Sequence, residues 1–417
     1  MNLLFQTSNM LILIKYLKSI FSYKDYYSIW MIILLFGIVQ LSFGQRNSIS
    51  FDSINSKENF GRFKYIELKG HSGMHIYTGG GLTDEIDSGY SSFDLRFGWQ
   101  PSNEESWTNP YGFSSYGVGW YSGFVGDPKV FGKPNALFGF INFPLSKYSK
   151  RNVMEISPAL GLTYNLEPFD AENNPLNDAI GARMAVYFSL HYGGTYRINR
   201  EMDLIYGIDF THFSNGRTYQ PNYGLNMFGF NLGFRYHYNA DQHLVNNDPY
   251  TSELLQSRFK RPKSRSRVKN FDKANSFSFH AAIGTVQNDE DAGTSNRYNT
   301  FSGVMDYRHK FDEMHGLTTG LDLFYDGSLK GGNTGETSNN YSYGIHVGYD
   351  LMFWRMALRV QMGTTLGSEN GKNSNFIRPG LQYNINDWLH TQVALKTKNG
   401  AVADWVEFGI GITPFKW

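Results

Sequence analysis

Phe228-Gly229-Phe230-Asn231-Leu232-Gly233-Phe234-Arg235-Tyr236 is the stretch on which the fold turns. Successive side chains of a β-strand point to opposite faces. On a strand, Phe228, Phe230, Leu232, Phe234 and Tyr236 make one row, and Gly229, Asn231, Gly233 and Arg235 make the other. One row is aromatic and aliphatic along its whole length; the other is glycine, amide and charge. A soluble sandwich buries the apolar row and gives the polar row to water, with no need for so much glycine. A closed barrel in lipid needs both rows, apolar side chains outward and small or polar ones inside.

The same pattern recurs on either side. Ile156, Pro158, Leu160, Leu162 and Tyr164 oppose Ser157, Ala159, Gly161, Thr163 and Asn165. Tyr341 to Tyr349 opposes an inward row of Ser342, Gly344, His346 and Gly348, and Met356, Leu358, Val360 and Met362 oppose Ala357, Arg359, Gln361 and Gly363. About eight such segments fall between Phe63 and Tyr238 and about eight more between Phe277 and Phe415. Connections alternate short (Ser146–Arg151, Asn199–Met202, Asp350–Arg355, Asn384–Trp388) and long (Glu167–Ile180, Asn215–Leu225, Gln287–Thr300, Asp326–Asn340, Gly367–Asn375), with Pro101–Tyr111 long for a short-side turn. Turns on the periplasmic side of outer-membrane barrels are short and external loops long. The fold expected is all-β: an outer-membrane transmembrane antiparallel barrel of about eight strands per half. Two tandem eight-stranded barrels and one barrel of about sixteen strands both satisfy the count. Inward rows crowded with glycine and charge favour the two small, filled barrels.

Composition agrees. The 417 residues carry 17% aromatics, 44 glycines, 18% charge, no cysteine and a net charge of +1. Mean hydropathy is −0.41, too polar for a bundle of membrane helices. The charge balance gives no reason to expect nucleic acid. The segment 1–44 reads as a signal peptide. Met31 to Val39 is its apolar core behind Lys15, Lys18 and Lys24, and Ser42-Phe43-Gly44 is the cleavage site before Gln45. Residues 58–246 form the first barrel unit and 274–417 the second. Between them, 247–273 is a basic periplasmic linker (Arg258, Lys260, Arg261, Lys263, Arg265, Arg267, Lys269), either solvated or laid on anionic lipid head groups. Phe415-Lys416-Trp417 has the aromatic character of barrel endings.

One strand carries chemistry. Leu204, Tyr206, Ile208 and Phe210 form its greasy row, and parity adds His212 and Ser214, while Asp203, Gly207, Asp209 and Thr211 face the lumen. A serine needs a base to become a nucleophile, and His212 can serve, although side chains two apart on a strand are ~6–7 Å apart. A roughly symmetric loop places Asn226 of the return strand across from Ser214, a third polar group on the same patch. Such a pair facing lipid suggests acyl transfer on a membrane substrate. With a periplasmic N-terminus, the patch lies near the outer leaflet.

His212-Phe213-Ser214-Asn215, then Pro221-Asn222-Tyr223-Gly224-Leu225-Asn226 and an alternating aromatic strand, resembles the lipid A 3-O-deacylase (PagL-type) family of acyloxyacyl hydrolases. The resemblance is specific over Leu204–Tyr238. It implies an outer-membrane barrel of a Gram-negative bacterium that removes an ester-linked acyl chain from the lipid A of lipopolysaccharide. It also implies His212 as base, Ser214 as nucleophile, and Asn215 and Asn222 at the oxyanion. The family's third member is a glutamate fourteen residues after the histidine; here that position is Asn226. An amide holds an imidazole in its tautomer but does not stabilise the imidazolium by charge, so activity is either supported by a neutral third member, or reduced or lost. The alternative is a non-catalytic barrel, structural, lipid-binding or channel-forming. Neither metal nor other cofactor is expected. In the second half, aligning Tyr196-Arg197-Ile198-Asn199 with Tyr383-Asn384-Ile385-Asn386 puts Asn399 and Ala401 where His212 and Ser214 stand, a copy without a nucleophile.

Overall fold

The computed structural model describes residues 62–238 and 274–417, apart from 78, 83–85, 88, 102–106, 147–150, 200, 330–339, 367–374 and 400–401. The expected signal peptide and the basic linker lie outside these residues. Among these residues sixteen strands form. The first eight are β1 (Arg62–His75), β2 (Tyr90–Pro101), β3 (Ser115–Phe124), β4 (Gly132–Pro144), β5 (Asn152–Leu166), β6 (Ala185–Arg197), β7 (Met202–Ser214) and β8 (Leu225–His237). The second eight are β9 (Asn275–Val286), β10 (Tyr298–Lys310), β11 (His315–Asp326), β12 (Tyr341–Phe353), β13 (Met356–Leu366), β14 (Asn375–Asn384), β15 (Leu389–Lys398) and β16 (Val402–Lys416). Each set pairs antiparallel with its sequence neighbours, and β8 returns to β1 as β16 returns to β9, so two eight-stranded barrels close separately.

Burial follows the rows read from sequence. Phe230 is 72% exposed on the outside, whereas Arg235, on the same strand, is 2% exposed in the lumen. That inversion suits lipid outside and a core of paired charges inside. In the first barrel Arg235 donates to Glu67 (2.7 Å) and Glu155 (3.4 Å) and lies 4.5 Å over the Tyr65 ring. Arg96 pairs with Asp94 at 2.9 Å, and His71 bonds Asp209. The second barrel repeats the device with Arg359 between Asp306 and Asp350, and Arg378 between Asp322 and Glu407. A buried charge is tolerated when paired and hydrogen-bonded, and these pairs plug both lumens.

The end of the first barrel that carries the loop between β7 and β8 is closed by an apolar cluster including Leu82, Phe131, Tyr187 and Phe213. Phe213, fully buried, packs 5.7 Å from both Tyr121 and Tyr187. It anchors the end of β7 from inside, and alternation then turns His212 and Ser214 outward.

The β7–β8 register differs from expectation. His212, not Ser214, sits across from Asn226, and Phe213 pairs with Leu225. The loop is asymmetric: a tight turn follows Ser214, with Thr218 N–H donating to the Asn215 carbonyl (3.3 Å), and an extended arm with a cis Gln220–Pro221 bond leads to β8. The long connection after β2 also has its reason. Its Trp107 stacks on Trp354 of the second barrel at 6.0 Å, with Phe143 against Phe353 nearby at the same end of the strands.

In the second barrel Asn399 lies just past β15 with φ 55°, in the turn and off the strand, and Ala401 is outside the described residues.

Candidate active site

Asn226 and His212 are cross-strand partners, and the Nδ1 of His212 lies 2.7 Å from Asn226 Oδ1. An amide oxygen only accepts, so Nδ1 carries the proton and Nε2 keeps its lone pair. This is the tautomer a general base needs. Phe210, two residues back, stacks on the imidazole with ring centroids 6.4 Å apart and planes 9° off parallel. Gly224 is required on the other side. Its φ is +78°, and a Cβ there would stand 2.9 Å from His212 Cε1.

Ser214 pairs with Val186 of β6 and is 7% exposed. Its Oγ accepts two hydrogen bonds, from Asn222 Nδ2 (2.9 Å) and from the Gly216 N–H (3.2 Å). Asn222 Oδ1 in turn accepts from the Asn215 N–H (3.2 Å), so one amide bridges the loop's arm to its turn. Asn215 directs its own side-chain N–H to the Tyr219 carbonyl (3.1 Å) and so braces the loop. Among the described residues, no hydrogen bond joins Ser214 to His212. Both donors converge on Ser214 Oγ, a placement that can serve an oxyanion formed beside a serine in acyl transfer.

A neighbouring loop supports the arm. Tyr223 and Gly224 donate their N–H groups to the carbonyls of Asp178 (3.2 Å) and Ala179 (2.9 Å) in the β5–β6 loop. Asp178 is held by the Tyr77 hydroxyl and by the N–H groups of Gly80 and Gly81. Burial, then the hydrogen bond to Asp178, pushes the Tyr77 phenol up to about 12.

Two family profiles cover most of the chain. The lipid A 3-O-deacylase (PagL) profile matches residues 90–235, and the acyloxyacyl hydrolase C-terminal domain profile matches residues 275–417. The chain belongs to the lipid A 3-O-deacylase family. The family's reaction is hydrolysis of an acyl ester of lipid A, and its place is the outer membrane. No curated protein matches the deacylase chain at a significant level. Solved structures similar to it include Acinetobacter baumannii OccAB2, at 11% identity over 85% of this chain and 98% of that one (TM-score 0.23). The siderophore receptor PirA from the same organism has 12% identity over 82% and 58% (TM-score 0.21). A Rh. blastica porin mutant has 12% identity over 84% and 99% (TM-score 0.19).

Of the residues singled out in sequence, His212 and Asn226 meet in the deacylase fold, and so do Ser214 and Asn222. Asp209 faces the lumen, hydrogen-bonded to His71, Tyr90 and Asn231. Sequence reasoning missed three groups. The Gly216 N–H is a backbone donor without a side-chain signature. Gly224 has no side chain to mark its place against the imidazole. Arg217, 7% exposed, bonds Asp404 and Asp289 of the second barrel, a contact with no sequence-local trace.

Proposed function

We propose that this chain hydrolyses an acyl ester of lipid A with Ser214 as nucleophile, His212 as general base and then acid, and Asn226 as the group that orients His212. The observation that carries this reading is the 2.7 Å contact of His212 Nδ1 with an acceptor-only oxygen, which frees Nε2 for the serine proton. Asn222 Nδ2 and the Gly216 N–H, resting on Ser214 Oγ, pass to the carbonyl oxygen of the bound ester. Their departure frees a lone pair of Ser214 Oγ for attack, and a change of Ser214 rotamer brings its O–H to His212 Nε2, closing a hydrogen bond that is open at rest. The tetrahedral oxyanion is held by the same two donors, Asn215 bracing the loop behind them. His212 then protonates the departing sugar oxygen, and water attacking the acyl-serine with His212 as base releases the fatty acid. Neither step requires a metal.

The site looks outward from the barrel wall at the long-loop end, where the glucosamine ester of lipid A sits in the outer leaflet. Substrate thus approaches laterally through lipid. The second barrel contributes no nucleophile in this scheme. The test is mass spectrometry of lipid A incubated with the wild-type chain and with Ser214→Ala. Loss of one acyl chain in the first incubation alone supports the assignment. Equal loss in both overturns it, and so does no loss with the wild type where an active deacylase works.

A further inference from the structure

The turn after Ser214 has an unfavourable backbone for its sequence. Gly216 (φ 62°) and Arg217 (φ 67°) are both left-handed, the form of a type I′ turn, where glycine is the usual second central residue and a side chain is disfavoured. Arg217 is nevertheless there, buried, and its guanidinium is held from the other barrel. One terminal nitrogen lies 3.4 Å from Asp404, the other 3.2 Å from Asp289. Asp404 is itself fully buried and bound to Lys396 at 2.8 Å.

The main chain of the same loop is tied as well. The Gln287 N–H donates to the Arg217 carbonyl (3.1 Å), and Gln287 Oε1 accepts from the Gln220 N–H (2.6 Å). The Gln287 side chain is fixed in turn by the carbonyls of Thr294 and Asn296. Gly216 touches the wall of the second barrel, since a Cβ on it would fall 2.3 Å from Val406 Cγ2. Val406 belongs to an outward row yet is 9% exposed, where Phe408 on the same row is 58% exposed. The loop that follows Ser214 and carries a backbone donor is thus seated on the second barrel.

We infer that the second barrel is a working part of the catalytic site: it clamps the Asn215–Thr218 turn through Arg217 and Gln220, and so fixes Ser214 and the Gly216 N–H relative to His212. Arg217 is a positioning residue. It acts through the turn, because donors stabilise an oxyanion only if they are in place before charge develops. This rests on the assignment of Ser214 above, and it gives the half of the chain without a nucleophile a task in the reaction.

The test uses the full chain in detergent with lipid A micelles, and Arg217→Gly, Asp404→Asn, Arg217→Lys and the variant that combines Arg217→Gly with Asp404→Asn. Glycine suits the left-handed position, so Arg217→Gly removes the guanidinium's part of the clamp without backbone strain. Its kcat is expected to fall about ten- to hundredfold with KM within about twofold of wild type, as for a misplaced reacting group. Asp404→Asn should fall similarly and Arg217→Lys less. The double variant should be no slower than the worse single one, because both substitutions break the same Arg217–Asp404 contact. Heat-modifiable gel migration should show every variant folded. Folded Arg217→Gly and Asp404→Asn proteins with wild-type kcat, beside an inactive Ser214→Ala, overturn the clamp alone. Additive losses in the double variant also overturn it. An active Ser214→Ala overturns the assignment beneath it.

Discussion

His212 and Asn226 are joined across the β7–β8 ladder by a 2.7 Å hydrogen bond from imidazole Nδ1 to amide Oδ1. The amide supplies the tautomer a base needs and lacks only the charge an acid would add. Asn226→Glu should therefore raise kcat about tenfold, some 1.4 kcal/mol of imidazolium stabilisation in the transition state. Asn226→Ala should lower it. Turnover of lipid A by the three proteins decides the matter, and a drop with glutamate would show that the site is adapted to the neutral residue.

Asn222 and Asn215 are separable. Asn222 reaches Ser214 Oγ, whereas the Asn215 side chain reaches a loop carbonyl. Asn222→Ala should cost about 10²–10³ in kcat, as for one lost oxyanion donor. Asn215→Ala should cost less, with a larger share in thermal stability. Parallel kinetics and melting curves measure both, and equal kinetic losses would contradict the division of roles.

Gly224→Ala should cripple the site while the barrel stays folded. The substitution puts a Cβ 2.9 Å from His212 Cε1 at a residue with φ +78°. Left-handed strain of about 1–2 kcal/mol and a displaced imidazole follow. A kcat loss of about tenfold or more is expected, with normal heat-modifiable migration on a gel. Unchanged turnover would mean that the ring is not held where the structure puts it.

Both lumens are filled with paired charge, so neither barrel should pass ions. Planar-bilayer recordings should show no sustained open-pore steps. Arg378→Ala takes from Asp322 and Glu407, both nearly inaccessible, the guanidinium they share. Breaking a buried pair in this way costs ~3–5 kcal/mol, which a lowered unfolding temperature would report. Stable large conductance in the wild type would contradict the filled interior.

Much of this protein was legible in one dimension. Alternation in Phe228–Tyr236 and in Tyr341–Tyr349 fixed which side chains face out, because strand parity is a local property of the backbone. The same parity put His212 and Ser214 outward and Asp209 in the lumen. Glycine and charge on the inward rows pointed to small filled barrels, and each half closes on itself. Register was another matter. It depends on the shape of a loop, and the left-handed pair Gly216 and Arg217 makes the 215–224 loop asymmetric, so that His212 meets Asn226. Nor does a sequence show that Ser214 rests on the Gly216 N–H, a backbone donor common to almost every residue. The pairing of Arg217 with Asp404, 187 positions away, exists only because two closed barrels lie side by side. Local alternation was enough to place the chain among β-barrels, to assign its two faces and to pick out the polar groups at the end of β7. Which of those groups touch depends on loop geometry and on packing between barrels, and neither is written in a local pattern.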